Sequence, residues 1–439
     1  MPDSKSDVRS NSPLSRRTFL QGAAVVAAPV VLGRRAHAIG KRDPDVLKVG
    51  LIGCGGRGTG AAYNAVRAEN GTVVLTALAD LFADRIDSCV EGLTTELGPE
   101  QAGRVQVDPE HRFTGFDAAE KLLRSDVDVV ILATPPHFRP AQLRAAVEAG
   151  KHIFCEKPVA VDAPGVRSVF DTVELARAKK LALVSGFCWR SKYGHRALYS
   201  KVHDGAIGSL RAIYSTYLAS PNTTRKRESA WSDMEFHMRN WYNFVWLSGD
   251  HIVEQAVHSI DKMAWALRDE PPLSVVALGG RQAREGDESG NAWDHFSATY
   301  EYKDGVQGIH VTRQWPGAFN QNDDMVLGEK GVATINGWDN DFRIRGETPW
   351  AFEGEDNDMY QTELDELFAA IRAGRERNDG VWMTRSTMLA IMARMAAYTG
   401  EKLTWEQALA SQETYGLERY ELGKLALAPV AVPGHTRFF

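Results

Sequence analysis

The stretch Val46-Leu47-Lys48-Val49-Gly50-Leu51-Ile52-Gly53-Cys54-Gly55-Gly56-Arg57-Gly58 decides the fold of this chain. An apolar run of strand length enters a turn that fits G-x-G-x-x-G. A helical stretch from Thr59 to Ala68 follows, then a second apolar run, Val73 to Ala79, that ends on Asp80. The order is β-α-β, the setting in which these glycines have a physical meaning. They permit a tight turn and close approach of a pyrophosphate, and the helix N-terminus offers unpaired N–H groups to its oxygens. Gly53, Gly55, Gly56, Arg57 and Gly58 are therefore the expected dinucleotide contacts. Asp80 follows the last of these glycines by 22 residues. Its carboxylate would accept from ribose hydroxyls and repel a 2′-phosphate. Leu81 and Phe82 supply no cation for such a phosphate, so NAD is favoured over NADP. An N-cap role for Asp80 fits the same position.

Further along, Val127 to Thr134 reads as another buried strand ending in Thr134-Pro135-Pro136-His137, and one more strand leads to Cys155-Glu156-Lys157-Pro158. In a doubly wound sheet the carboxyl ends of strands face the ligand crevice. Thr134, Pro135, His137, Glu156 and Lys157 thus belong beside the nicotinamide end. Lys157 is either a solvated charge or a donor to a substrate hydroxyl, and the second role needs a partner base.

With the glycine turn, Ile131-Leu132-Ala133-Thr134-Pro135, Ala149-Gly150-Lys151-His152 and Cys155-Glu156-Lys157-Pro158 resemble the glucose-fructose oxidoreductase and inositol dehydrogenase family, Gfo/Idh/MocA. One departure stands out. Where that family usually has a His, two residues beyond His137, this chain has Arg139, so the cofactor-side role falls to His137 or Arg139. The resemblance implies an α/β Rossmann dinucleotide-binding domain plus an α+β domain with a large, mainly antiparallel open sheet. It also implies a homo-oligomer built on the outer face of that sheet.

The composition supports a division near residue 187. All eleven tryptophans lie at or after Trp189. Strands near Leu210 to Leu218, Val275 to Arg281, Ser297 to Tyr302, Val306 to Arg313 and Val332 to Ile335 read as an antiparallel sheet. The expected boundaries are residues 1–38 for a removable leader, 45–187 for NAD binding, 188–425 for substrate and 426–439 for a tail. Most tryptophans suit a core. Aromatics beside polar residues, in Arg239-Asn240-Trp241-Tyr242 and Arg313-Gln314-Trp315, are candidates to stack on sugar faces. Arg190, Arg239, Trp241, Tyr242 and Trp315 are the expected substrate contacts.

Chemistry concentrates in Gly249-Asp250-His251-Ile252-Val253-Glu254-Gln255-Ala256-Val257-His258-Ser259-Ile260-Asp261. On one continuous helix Glu254, His258 and Asp261 share a face. An ion pair on the surface would look the same. The family resemblance raises the functional reading, with Glu254 where that family has Asp and Ala256 where it often has Gly. It implies that His258 is the general acid/base for a sugar hydroxyl, that Lys157 stabilises the alkoxide and that Glu254 tunes the pair. His251, Glu254 and His258 could supply three ligands of a divalent site, but the spacing is not a zincin motif and hydride transfer needs no metal, so no metal is expected.

The first 38 residues carry six basic and two acidic side chains, so the formal charge of −6 divides into +4 there and −10 on the other 401 residues. An acidic body without a basic stripe argues against nucleic acid. Ser15-Arg16-Arg17-Thr18-Phe19-Leu20-Gln21, twelve apolar residues from Gly22 to Gly33, and Ala36-His37-Ala38 resemble a twin-arginine (Tat) export signal. That run is too short to span a bilayer, so no membrane span is expected. The Tat machinery is an expected partner, and the location a periplasm reached by a folded, cofactor-loaded protein. Cys54, Cys89, Cys155 and Cys188 have no disulfide or metal spacing and read as buried thiols. Three activities stay open: a sugar or polyol dehydrogenase with tightly bound NAD, an NAD-dependent glycoside hydrolase working by transient oxidation, and a non-catalytic sugar or nucleotide sensor.

Overall fold

In the computed structural model, which describes residues 45–438 apart from positions 70 and 223, the glycine turn sits where two halves of a parallel sheet part. The twin-arginine segment lies outside the described residues. Strands β1 (Val46–Ile52), β2 (Thr72–Asp80), β3 (Arg112–Thr114), β4 (Val129–Leu132), β5 (His152–Cys155) and β6 (Leu183–Ser185) lie in the order β3-β2-β1-β4-β5-β6. Every pairing is parallel. β4 is buried throughout its length, as expected of a strand with both faces covered. β1 pairs with β2 on one side and β4 on the other, so the strand order reverses there and opens a crevice at the carboxyl ends of β1 and β4.

Two features were not anticipated. The helix Met359–Arg372, late in the chain, places Leu364, Leu367 and Phe368 in the same apolar cluster as Val49, Leu51 and Phe154. Residues 377–379 then shield the edge of β6: Leu183 donates to Arg377, and Asp379 donates back to Leu183.

A second sheet has nine strands: β7 (Leu210–Ala219), β8 (Ser274–Gly280), β9 (His295–Glu301), β10 (Gln307–Gln314), β11 (Asp323–Gly328), β12 (Gly331–Asn336), β13 (Asp341–Gly346), β14 (Trp350–Ala351) and β15 (Leu403–Thr404). Their order is β14-β13-β12-β11-β7-β10-β9-β8-β15. The central pair, β7 with β10, is parallel and the others are antiparallel. One face packs on the helices Val257–Ala266 and Gly380–Thr399, while Tyr214, Val276 and Leu278 remain exposed. The helix Gly380–Thr399 is apolar almost all round and correspondingly buried. Its Arg394 donates to the carbonyls of Val161 and Gly249, tying the chain beyond β5 to the turn before helix His251–Glu254.

No helix among the described residues is long and apolar enough to cross a membrane. All four cysteines are buried and free.

Candidate active site

The glycine turn is built to receive a diphosphate. Gly53 has φ +100°, a left-handed conformation, and a Cβ there would lie 2.6 Å from the backbone of Ala133 and Thr134. A Cβ on Gly58 would stand 1.8 Å from the Gly53 carbonyl oxygen, so only glycine lets helix α1 (Gly56–Val66) pack this close. A Cβ on Gly55 or Gly56, in contrast, meets no atom within 4 Å. The N-terminus of α1 has no side-chain cap and no acid in its first turn, leaving its amides to an anion. These residues fit the pyrophosphate of a dinucleotide.

Asp80 stands at the end of β2, beside the glycine turn. Its Oδ2 accepts from the Cys54 amide at 2.8 Å and its Oδ1 from the Phe82 amide at 3.0 Å. Helix α2 (Ala83–Glu96) has Phe82 as its N-cap, so Asp80 serves the turn rather than capping the helix. The Arg57 side chain is taken up by acidic partners. Its guanidinium bridges Glu156 and Glu363 and lies 4.9 Å from the Tyr360 ring centre. Burial opposes its charge, and the two carboxylates more than offset that, raising its pKa. Arg57 and Glu156 therefore act as a bolt between α1, β5 and the helix Met359–Arg372. A Cβ on Gly186 would come within 2.7 Å of the Glu156 carboxyl group, which explains that glycine.

Arg139 answers the question left by the missing histidine. Buried, it donates to the carbonyl oxygens of Pro158 and Thr134, clamping together the two crevice loops. The Thr134 hydroxyl donates to Gln142 at 2.6 Å, and Pro135 precedes the short turn Pro136–Phe138. His137 pairs through Nε2 with the Tyr420 hydroxyl at 2.7 Å, and burial pushes its pKa down to about 4. Sequence reading had no signal for Tyr420, which arrives from a segment without regular structure.

Lys157 extends from the clamped loop to Glu254. Its Nζ donates to the Glu254 backbone carbonyl and, at 3.1 Å, to Oε1. The continuous helix expected here is interrupted. Helix His251–Glu254 ends, Gln255 and Ala256 form a turn in which the Ala256 amide reaches the His251 carbonyl, and helix Val257–Ala266 begins. Asp261 still follows His258 by three residues on the second of these helices but is taken up by other partners. It is buried against Arg190 and Ser386 instead. His258 stands edge-on to Phe187, with ring centres 6.0 Å apart. Burial, together with the charges of Lys157, Lys262 and Arg57, holds its pKa well below the usual imidazole range. The ring is neutral at neutral pH. Glu254 Oε2, His258 Nδ1 and His251 Nε2 are buried without protein partners.

The expected substrate residues divide. Arg190 has all three of its nitrogens engaged by Asp261 and Asp269, and its guanidinium carbon lies 3.9 Å from the Trp382 ring centre. These bonds tie it to the helix Val257–Ala266 and the turn after it. Arg239 pairs through both terminal nitrogens with Asp84 at 3.0 Å, and its guanidinium covers Phe82 at 3.8 Å. It therefore lies against the start of α2, two residues beyond Asp80. Trp241 and Tyr242 stack on each other at 4.0 Å. Trp315, half-buried, donates from Nε1 to Asp294 at 3.1 Å. His251, Glu254 and His258 do not gather as ligands, and the group of metal-ligating type among the described residues is Asp108, Glu110 and His111 at the surface.

Comparison with known proteins agrees with this geometry. Residues 47–187 match the Gfo/Idh/MocA oxidoreductase family with an NAD-binding Rossmann fold, residues 195–334 match the Gfo/Idh/MocA C-terminal domain, and residues 13–33 match the twin-arginine translocation signal. A glycosyl hydrolase family 109 protein of Streptomyces coelicolor is 32% identical over 229 residues, 47% of this chain and 45% of its own. Inositol 2-dehydrogenase 3 of Saccharopolyspora erythraea is 27% identical over 224 residues, 51% of this chain and 54% of its own. The matched region thus spans about half the length of these relatives. Among solved structures, the aldose-aldose oxidoreductase from Caulobacter crescentus complexed with glycerol has a TM-score of 0.64 at 20% identity, covering 82% of this chain and 99% of its own. A levoglucosan dehydrogenase in complex with NADH and levoglucosan also reaches 0.64, at 18% identity over 82% of this chain and 100% of its own.

Proposed function

This chain belongs to the Gfo/Idh/MocA oxidoreductase family, and from that premise we propose that it oxidises a hydroxyl of a sugar or polyol with a nicotinamide dinucleotide that it keeps bound. The observation that carries the reading is the meeting of Lys157, Glu254 and a neutral His258 near the carboxyl ends of a sheet whose first turn is shaped for a dinucleotide. Gly53, Gly55, Gly56 and Gly58 would cradle the pyrophosphate, and Asp80 would meet the ribose hydroxyls. When bound, the nicotinamide supplies the hydride acceptor.

The side chains do the rest. Lys157 holds the substrate hydroxyl oxygen and offsets its growing negative charge. His258 takes the hydroxyl proton on its imidazole. Glu254 fixes the Lys157 ammonium and keeps it from drifting toward solvent. The carboxylate of Asp80 supports NAD over NADP. The nearby cation of Arg239 is spent on Asp84 and so offers little to a 2′-phosphate. The twin-arginine signal supports export to a periplasm, where a cofactor loaded before transport would have to be recycled by substrate. The exposed Tyr214, Val276 and Leu278 support self-association through the second sheet.

The similarity to a glycosyl hydrolase family 109 protein favours one second reading. Oxidation of a ring hydroxyl acidifies the neighbouring C–H, and loss of that proton expels a glycosidic group. Addition of water and return of the hydride restore the sugar without net redox change. Purified protein incubated with free sugars and aryl glycosides separates the readings. Net reduced nicotinamide or an oxidised sugar supports the dehydrogenase, while aglycone release without it supports the hydrolase. If neither occurs, and heat-released ligand contains no nicotinamide nucleotide, both fail and a sensor remains.

A further inference from the structure

One polar chain of side chains beside the catalytic segment has no part in the roles above. Arg284 donates from Nη2 to Gln314 Oε1 at 2.5 Å, and Gln314 Nε2 donates to Gln255 Oε1. Arg284 also donates from Nη1 to Asn243 Oδ1, and Asn243 donates from Nδ2 to Asn240 Oδ1 at 2.9 Å. Gln314 is buried, whereas Gln255 is half-buried and occupies the turn between Glu254 and His258.

An arginine has no acceptor, and this fixes the direction of the chain. Gln314 must turn its oxygen to Arg284, so its amide nitrogen faces Gln255. Gln255 must then turn its own oxygen to Gln314, which leaves its Nε2 outside the chain of bonds. Among the described residues no hydrogen bond takes up that Nε2. A free glutamine presents either end of its amide by a simple flip. Here a charge two residues away has removed the choice.

We propose that Gln255 is a specificity-determining residue that presents only N–H donors to the substrate, selecting a sugar or polyol with an acceptor oxygen beside the reacting hydroxyl. This rests on the sugar-oxidation reading above and goes beyond it by naming what the substrate must carry. Arg284 and Gln314 do not touch the substrate and are positioning residues. A site built to donate a hydrogen bond discriminates against an analogue lacking the acceptor, because its own donor is left unpaired.

The test uses the full-length protein with bound cofactor. D-glucose, D-xylose and myo-inositol are assayed first, then the monodeoxy derivatives of whichever gives the highest kcat/KM. One monodeoxy derivative is expected to lose about tenfold in kcat/KM with the native protein. Gln314→Glu is the decisive variant. Its carboxylate still accepts from Arg284 but now also faces Gln255 with an acceptor, which turns the Gln255 amide around. The preference for the parent compound over that derivative should fall to about one, although residue 314 never meets the substrate. Gln255→Leu should remove the same preference, and thermal unfolding reports whether either variant is folded. Native discrimination retained in both folded variants overturns the proposal while leaving the sugar-oxidation reading intact. Absence of turnover by native protein on all three compounds sinks that reading, and this proposal with it.

Discussion

Lys157 and Glu254, 97 residues apart in sequence, are joined twice: the ammonium meets both the backbone carbonyl and the carboxylate of Glu254, the latter at 3.1 Å. The two side chains are largely buried, with 12% and 6% exposure, so the pair is shielded from water and holds its geometry. Lys157→Met is expected to lower kcat/KM by roughly 10²- to 10³-fold, on the scale of a lost donor to developing negative charge. Glu254→Gln keeps a hydrogen bond to Lys157 and should cost far less, about tenfold. Steady-state kinetics on both variants checks this, and equal losses would contradict the division of roles.

His258 carries a pH signature. Burial and the surrounding cations depress its pKa, so the imidazole stays unprotonated as pH falls below the ordinary value of 6.5. The acid limb of kcat/KM is therefore expected below pH 6.5. His258→Ala should lose about 10²- to 10⁴-fold, the usual contribution of a general base. An acid limb at or above 6.5 would remove His258 from this role.

Gly58 tests the cradle. In Gly58→Ala the new methyl meets the Gly53 carbonyl oxygen at 1.8 Å, forcing α1 away from the turn. Protein purified from this variant is expected to carry little or no dinucleotide, whereas Gly56→Ala, where the methyl enters open space, should fold normally and lose affinity only through crowding of the ligand. Chromatography of heat-released nucleotide measures both. Equal nucleotide content in the Gly58 variant and the native protein would refute the assignment.

Acid should destabilise the fold through its buried histidines. Burial lowers His137 and His237 to about 4 and His310 to about 3, from 6.5. Each is neutral in the folded state and protonated in the unfolded state between those values. This contribution is intact above pH 6.5 and is lost progressively as pH falls toward 4. Tm measured from pH 7 to 4.5 should decline across that window, and His310→Gln should decline less. A flat profile would contradict the burial of these rings.

Much of the cofactor half was readable because its signals are local. Gly53 to Gly58, Asp80 and Lys157 sit at strand ends, where apolar runs and glycine spacing place them without knowledge of distant contacts. The partners of other residues were not legible, because they come from elsewhere in the chain. Arg190 looks like a free cation beside Trp189 until Asp261 and Asp269 converge on it. Arg239 was grouped with the substrate because of Trp241, yet Asp84 of α2 claims it. The break between Glu254 and Val257 leaves no trace in residue spacing, since Gln255 and Ala256 continue the helical pattern. β13 was missed although Phe342 and Ile344 alternate with outward residues. Its flanking charges, Asp341, Arg343 and Arg345, masked a period that was present.

The bond between His137 and Tyr420 joins residues 283 positions apart. One wall of the crevice is therefore finished by a segment that the ribosome delivers long after the cofactor sheet has emerged. A chain released before residue 420 would hold a dinucleotide fold with its cleft unwalled. In a chain that carries a twin-arginine signal at its start, the residue that completes this contact is among the last to be made.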